Sequence, residues 1–171
     1  MSAKNTKHNL QSRARHGFTI VEIITVLFVV SVGLIGVLSL IIKNIQSQTF
    51  NKQNLIAYQL AQEGIELTRE VRDTNWKIGN SYNDGLADGY YSLDYQSLVP
   101  TSISADNPPP LYLNGGYYSH IPNATSTGFK RSIRIETLDP PTAMRVTCTV
   151  AWAIRDIPYA YNLETILYDW R

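Results

Sequence analysis

The sequence is short of the residues from which enzymes and metal centres are usually built. Its one cysteine, Cys148, rules out an intrachain disulfide and a cysteine metal cluster. Its three histidines are His8, His16 and His120, with no metal-spaced pair among them. No G-x-S-x-G elbow, P-loop or dinucleotide fingerprint occurs. No catalytic residue, cofactor site or metal site is expected, and the chain is not read as an enzyme. His120 lies in a tyrosine-rich stretch and reads as an exposed loop residue. Cys148 reads as a small buried apolar residue in a strand. A basic stripe is missing as well. The formal net charge is +1, and beyond the first 17 residues it is about −3, so no nucleic acid is implied as a partner.

What the chain does have is one long apolar run, residues 17–42, GFTIVEIITVLFVVSVGLIGVLSLII, with Glu22 as its single charge. A helix crosses a bilayer with about 20 apolar residues, so this run is long enough with some tilt. Lys4, Lys7, Arg13 and Arg15 precede it without any acid. A positive arm of this kind stays in the cytoplasm, which sends the remainder outward. An ordinary secretory signal has an apolar region of about 7–15 residues followed by a small-residue cleavage site. Here the run is longer and continues into Lys43-Asn44-Ile45-Gln46, so the helix is expected to stay attached. A carboxylate in the membrane costs roughly 2.5–3.5 kcal/mol on insertion scales, so Glu22 either has a partner and a task or snorkels to the interface. Thr19 and Glu22 are also spaced as a capping-box pair. The helix is expected to start near Phe18. Gly33 and Gly36 inside the run permit close helix approach and weaken the helix locally.

Residues 17–22, G-F-T-I-V-E, resemble the processing site of type IV prepilins and the related pseudopilins of type II secretion. The resemblance implies that a prepilin peptidase cuts between Gly17 and Phe18 and N-methylates Phe18. It also implies that Glu22, the fifth residue of the mature chain, neutralises the N-terminal amine of a neighbouring subunit during assembly. The family often carries a proline within this helix, and this chain has none. The run L-A-Q-E-G-I-E-L-T-R-E-V-R-D-T-N-W, residues 60–76, resembles the helix end of PilV-type minor pilins. The patterns F-x-R-x-I at 129–133 and V-x-W at 150–152 resemble pilin-like heads more loosely. The implied partners are the peptidase, other pilin subunits, the membrane, and the assembly platform and motor of a pilus or secretion system.

Beyond residue 42 the pattern turns amphipathic. Ile45, Thr49, Ile56, Leu60, Gly64, Leu67 and Val71 recur at mostly three- or four-residue spacing. Between them, Gln62, Glu63, Glu66, Arg69 and Asp73 read as a solvated face, with Glu66–Arg69 and Arg69–Asp73 as weak pairs. A continuous helix from Phe18 to Asn75 would be roughly 87 Å long at about 1.5 Å per residue, more than one modest head could bury.

From residue 77 to 128 glycine, asparagine, tyrosine and proline dominate. Asn80, Asn83-Asp84-Gly85 and Asp88-Gly89 are turn signals, and their spacing does not match a D-x-[DN]-x-[DN]-G calcium loop. Residues 90–95 suggest a short strand, and 111–113 with 117–119 flank a hairpin turn at Asn114-Gly115-Gly116. The prolines of 107–110 are not expected inside a central strand. Asn123-Ala124-Thr125 is a sequon. Residues 129–171 are the clearest strand region. Phe129, Ile133 and Ile135 alternate with polar residues, and so do Met144, Val146, Cys148, Val150, Trp152 and Ile154. Turns are expected at 139–141 and 156–158, with a third strand over 159–168.

The expected architecture is α+β and pilin-like. It comprises a leader at 1–17, a membrane-spanning and assembly half of a long helix at 18–42 and an amphipathic half at 43–76. A loop region with short strands at 77–128 and an antiparallel meander at 129–171 complete it. The meander is expected to cover the helix from about Ile45 to Val71. Function is expected to be that of a minor-pilin-like subunit, cleaved, methylated and assembled into a filament outside the cytoplasmic membrane. The competing reading is a single-pass anchored binding protein with an extracytoplasmic β-rich head that never assembles.

Overall fold

The computed structural model describes residues 17–122, 125–138 and 142–170. The expected leader before Gly17 with His8 and His16, the Asn123-Ala124 part of the sequon and the turn at 139–141 lie outside the described residues.

One helix, α1 (Ile20–Ile78), opens the fold. It starts two residues after Phe18 because Thr19 takes the N-cap. The Thr19 carbonyl accepts from the Ile23 amide at 3.2 Å, and Thr19 Oγ1 accepts from the Glu22 amide at 3.2 Å. It ends in a Schellman turn. Gly79 adopts φ +82°, its amide donates to the Trp76 carbonyl, and the Asn80 amide donates to the Asn75 carbonyl. Asn75 Nδ2 also donates to the Asp84 carbonyl at 2.8 Å, tying the following loop to the last helical turn.

Seven strands follow: β1 (Gly89–Asp94), β2 (Ser97–Ser102), β3 (Pro110–Asn114), β4 (Tyr117–Ser119), β5 (Ser126–Thr137), β6 (Ala143–Ile154) and β7 (Ile157–Tyr168). They form a single antiparallel sheet. β5, β6 and β7 make the expected meander, with β6 paired to β5 along one edge and to β7 along the other. The second edge of β5 is shared, since β3 pairs with its first half and β1 with its second. The short strands before residue 126 therefore extend the same sheet as the meander.

Local chemistry explains where the strands turn. Gly115 and Gly116, at φ +59° and +92°, close the β3–β4 hairpin at the expected place. The β6–β7 turn is Arg155-Asp156, at φ +51° and +65°, rather than residues 156–158. Pro158 belongs to β7, an edge strand paired only to β6, where a missing amide is tolerated. Pro110 likewise enters β3, which lies between β4 and β5, because it is the first residue of that strand. β2 was not expected: Pro100 interrupts its pattern and its side chains are mostly exposed, so it carries little periodicity.

The sheet packs against the second half of α1 to give an α+β fold. Ala57, Leu60, Ala61, Ile65, Leu67 and Val71 meet Ile133, Ile135, Val146, Cys148 and Val150 in one core. The covered stretch lies further along the helix than expected and runs on to Trp76. The first buried helical residue is Ala57, while Thr49 and Ile45 are exposed. Residues 57–76, which hold the fully buried stripe, span about 30 Å at 1.5 Å per residue, and ahead of them only partial cover continues, with Ile56 against the core and the Phe50 ring 5.2 Å from that of Tyr159 in β7. Helix and sheet approach closely at Gly64, where an added Cβ would lie 2.5 Å from Cys148 Sγ.

Candidate functional site

The residues singled out at the N-terminus fall on the first turn of α1 and just before it. Gly17 and Phe18 precede the helix and are exposed. Nothing lies within 4 Å of where a Cβ on Gly17 would be, so its backbone is open to approach among the described residues. Glu22 occupies the third helical position, where its carboxylate favours the positive end of the helix dipole. Among the described residues no cation pairs with it. A shallow groove of about 290 Å³ runs beside it, lined by Phe18, Glu22, Ile23, Val26 and Leu27.

The rest of this half is uniformly apolar on its outside. Within residues 20–42 the large apolar side chains are exposed, from Ile20 at 78 % to Ile42 at 55 %. Among the described residues, α1 is the one helix long and apolar enough to cross a membrane. Its hydroxyls are already satisfied. Thr25, Ser31 and Ser39 each donate to the carbonyl four residues back, at 2.8, 2.7 and 2.9 Å. That local bonding hides their polarity, as a lipid environment requires.

In the head the polar residue that matters most is Arg131. It was visible only as the R of F-x-R-x-I, at an inward position in step with Phe129 and Ile133. It is 1 % exposed. Its guanidinium donates to the Leu60 carbonyl of α1 at 3.2 Å and to the Leu93 carbonyl of β1 at 2.9 Å, and it pairs with Glu63 at 3.1 Å. One side chain thus links helix, hairpin and sheet centre. Glu63 is accordingly an anchor and not merely part of a wet face. Arg69 pairs with Glu66 as expected, whereas Asp73 pairs with Arg72 at 2.8 Å instead of Arg69. Arg72 itself is buried and lies 4.6 Å from the Trp76 ring centroid.

A second polar knot joins β1 to the end of β4. Asp94 accepts from Ser119 Oγ at 2.7 Å, from the His120 amide at 2.6 Å and from the Gln96 amide at 3.2 Å. Burial pushes its carboxyl up, but these bonds and the charge of His120 outweigh it and hold the group below the usual range. His120 is half-buried, not exposed as expected, because this knot draws it under the sheet rim. Its Nδ1 faces the Pro110 carbonyl at 3.2 Å. Burial, followed by the nearby charge of Arg131, pushes its pKa below the ordinary value. Cys148 is fully buried in β6, as its alternation implied, and burial pushes the thiol up to about 12. A thiol at that value is not a nucleophile. Among the described residues no three His, Cys, Asp or Glu side chains converge in a way that could hold a metal ion.

No protein-family model, no curated protein and no solved structure matches this chain.

Proposed function

We propose that the chain is a type IV pilin-like subunit, of the minor-pilin kind, that waits in the cytoplasmic membrane and then enters a filament through the first half of α1. A single observation carries the reading. One carboxylate, Glu22, sits on the first turn of a helix whose following residues are apolar on every side, four residues after an open Phe18. Such a helix can exchange lipid contacts for helix–helix contacts at little net cost, since lipid tails are as apolar as its own side chains. The acid then selects the arrangement in which a positive group lies opposite it, because an unpaired charge in an apolar medium is costly. Cutting after Gly17 by a prepilin peptidase would create such a group, the amine of Phe18 on a neighbouring subunit. An assembly platform and motor would supply the work of extraction.

The test is chemical and genetic. Terminal sequencing of the membrane-associated protein should give an N-methylated Phe18, and Glu22→Ala should leave insertion intact while depleting the subunit from sheared filaments. Retention of residues 1–17 in the wild type would favour an anchored binding protein. Normal filament incorporation of Glu22→Ala would remove the register role.

A further inference from the structure

We propose that the cleft between the β1–β2 hairpin and the end of β4 binds a neutral saccharide, with the Tyr95–Tyr117 pair as the platform beside it. The cleft has a volume of about 270 Å³. That is just below the usual range of ligand sites, about 300 to 1,000 Å³, and suits a single ring-sized unit with the remainder outside.

Its lining is of two kinds. Ser97, Thr101 and Gln96 bring hydroxyl and amide groups that both donate and accept, while Val99 and Ile121 bring apolar surface. A sugar ring is amphiphilic in the same way, with hydroxyls at its rim and C–H groups on its faces. No lysine or arginine lines the cleft, and its one histidine, His120, is held below its ordinary pKa by burial and by the charge of Arg131, so no fixed positive charge compensates an anionic sugar. The one acid in its wall, Asp94, is committed to Ser119, His120 and Gln96 and is not free to recruit a cation.

Two exposed rings lie next to this surface. Tyr95 and Tyr117 have centroids 5.6 Å apart and are 40 % and 65 % exposed. Gln96 Nε2, from the cleft wall, donates to Tyr95 Oη at 2.8 Å. Exposed aromatic side chains supply large contact area for little lost rotamer freedom. The platform is also prearranged, because Asp94 ties the hairpin that carries Tyr95 to the strand that carries Tyr117. A peptide adding as a strand is the less suited occupant. The nearby edge strand β2 contains Pro100, which cannot donate to a new ladder.

The experiment uses the full chain in a detergent without a sugar headgroup. Equilibrium binding is measured to neutral hexose and N-acetylhexosamine oligosaccharides, to uronate- and sialate-containing ones, and to a set of extended peptides. Saturable binding to at least one neutral saccharide is expected. Tyr117→Ala should weaken it about tenfold, Tyr117→Phe should keep it, and Tyr168→Ala, at an exposed tyrosine in β7, should change nothing. Thr101→Val gives a second reading from the polar side and should also weaken binding. Absence of neutral-saccharide binding, preference for acidic sugars or for peptides, or binding that survives both Tyr117→Ala and Thr101→Val would overturn the proposal.

Discussion

The two halves of α1 share one backbone conformation and differ in what their side chains meet. Residues 20–42 expose every large apolar side chain they possess, while residues 57–76 bury a stripe of them beneath a sheet. The first half suppresses its own polarity by folding Thr25, Ser31 and Ser39 back onto the backbone. The second half spends its polarity on the head, through the Leu60 carbonyl and the Glu63 carboxylate that receive Arg131. Glycine shows the same division. Gly33 and Gly36 have nothing within 4 Å of an added Cβ, whereas Gly64 is pressed against Cys148. One helix thus presents two kinds of surface, and the same residue type means something different in each.

The comparison breaks most severely at Arg131. Arg131→Ala should destabilise the head by about 3–5 kcal/mol, since it removes the partner of the Leu93 carbonyl and of the Glu63 carboxylate and leaves a cavity. Trp76, Trp152 and Trp170 are all in the head, so denaturant unfolding followed by tryptophan fluorescence reads that region alone. Glu22→Ala should leave the same transition unmoved.

A smaller effect sharpens the glycine contrast. Gly64→Ala should cost about 1–3 kcal/mol in the same assay, because the new methyl group would overlap Cys148 Sγ. Pairing it with Cys148→Ala should recover much of the loss in a double-mutant cycle, and Gly33→Ala should cost the head nothing. If Gly64→Ala is neutral alone, the helix is not held against β6 at that point.

Acid should loosen the head in two stages. His120 and Asp94 both have folded values below their ordinary ones of 6.5 and 3.8. For each, the native state holds the proton less readily than the unfolded chain. The stabilisation is therefore complete above the ordinary value and lost as pH falls through the folded one. The head's Tm should begin to drop below about pH 6.5 and drop again below about pH 4. His120→Gln should abolish the first stage, and Asp94→Asn should diminish the second. The least consequential change is Glu66→Ala. Its pair with Arg69 is exposed at both ends and should be worth about 0.2–0.5 kcal/mol.

Much of this was legible in the sequence because it is periodic. The alternation from Met144 to Ile154 placed β6 with Cys148 inward, and Asn114-Gly115-Gly116 placed a hairpin. Thr19 and Glu22 marked the helix start to within two residues. β2 was not legible, because an edge strand with exposed side chains and a proline has no period to detect. Arg131 was hidden for a different reason. Charge at an inward position reads as an error in the pattern until its acceptors, 71 and 38 residues away in sequence, are brought to it. His120 was misjudged because its surroundings are set by Asp94, 26 residues earlier.

The sequence by itself determined the unbroken apolar run, the acid within it five residues after a glycine, the amphipathic continuation and the alternating strands. These follow from local composition and spacing, which fix which faces can tolerate water. Only the tertiary structure decided how far the sheet covers the helix, that Arg131 joins the apolar core in fastening the two, and that Asp94 joins β1 to β4 beside a cleft. Each of these depends on groups far apart in the chain meeting in space, and no local pattern carries that information.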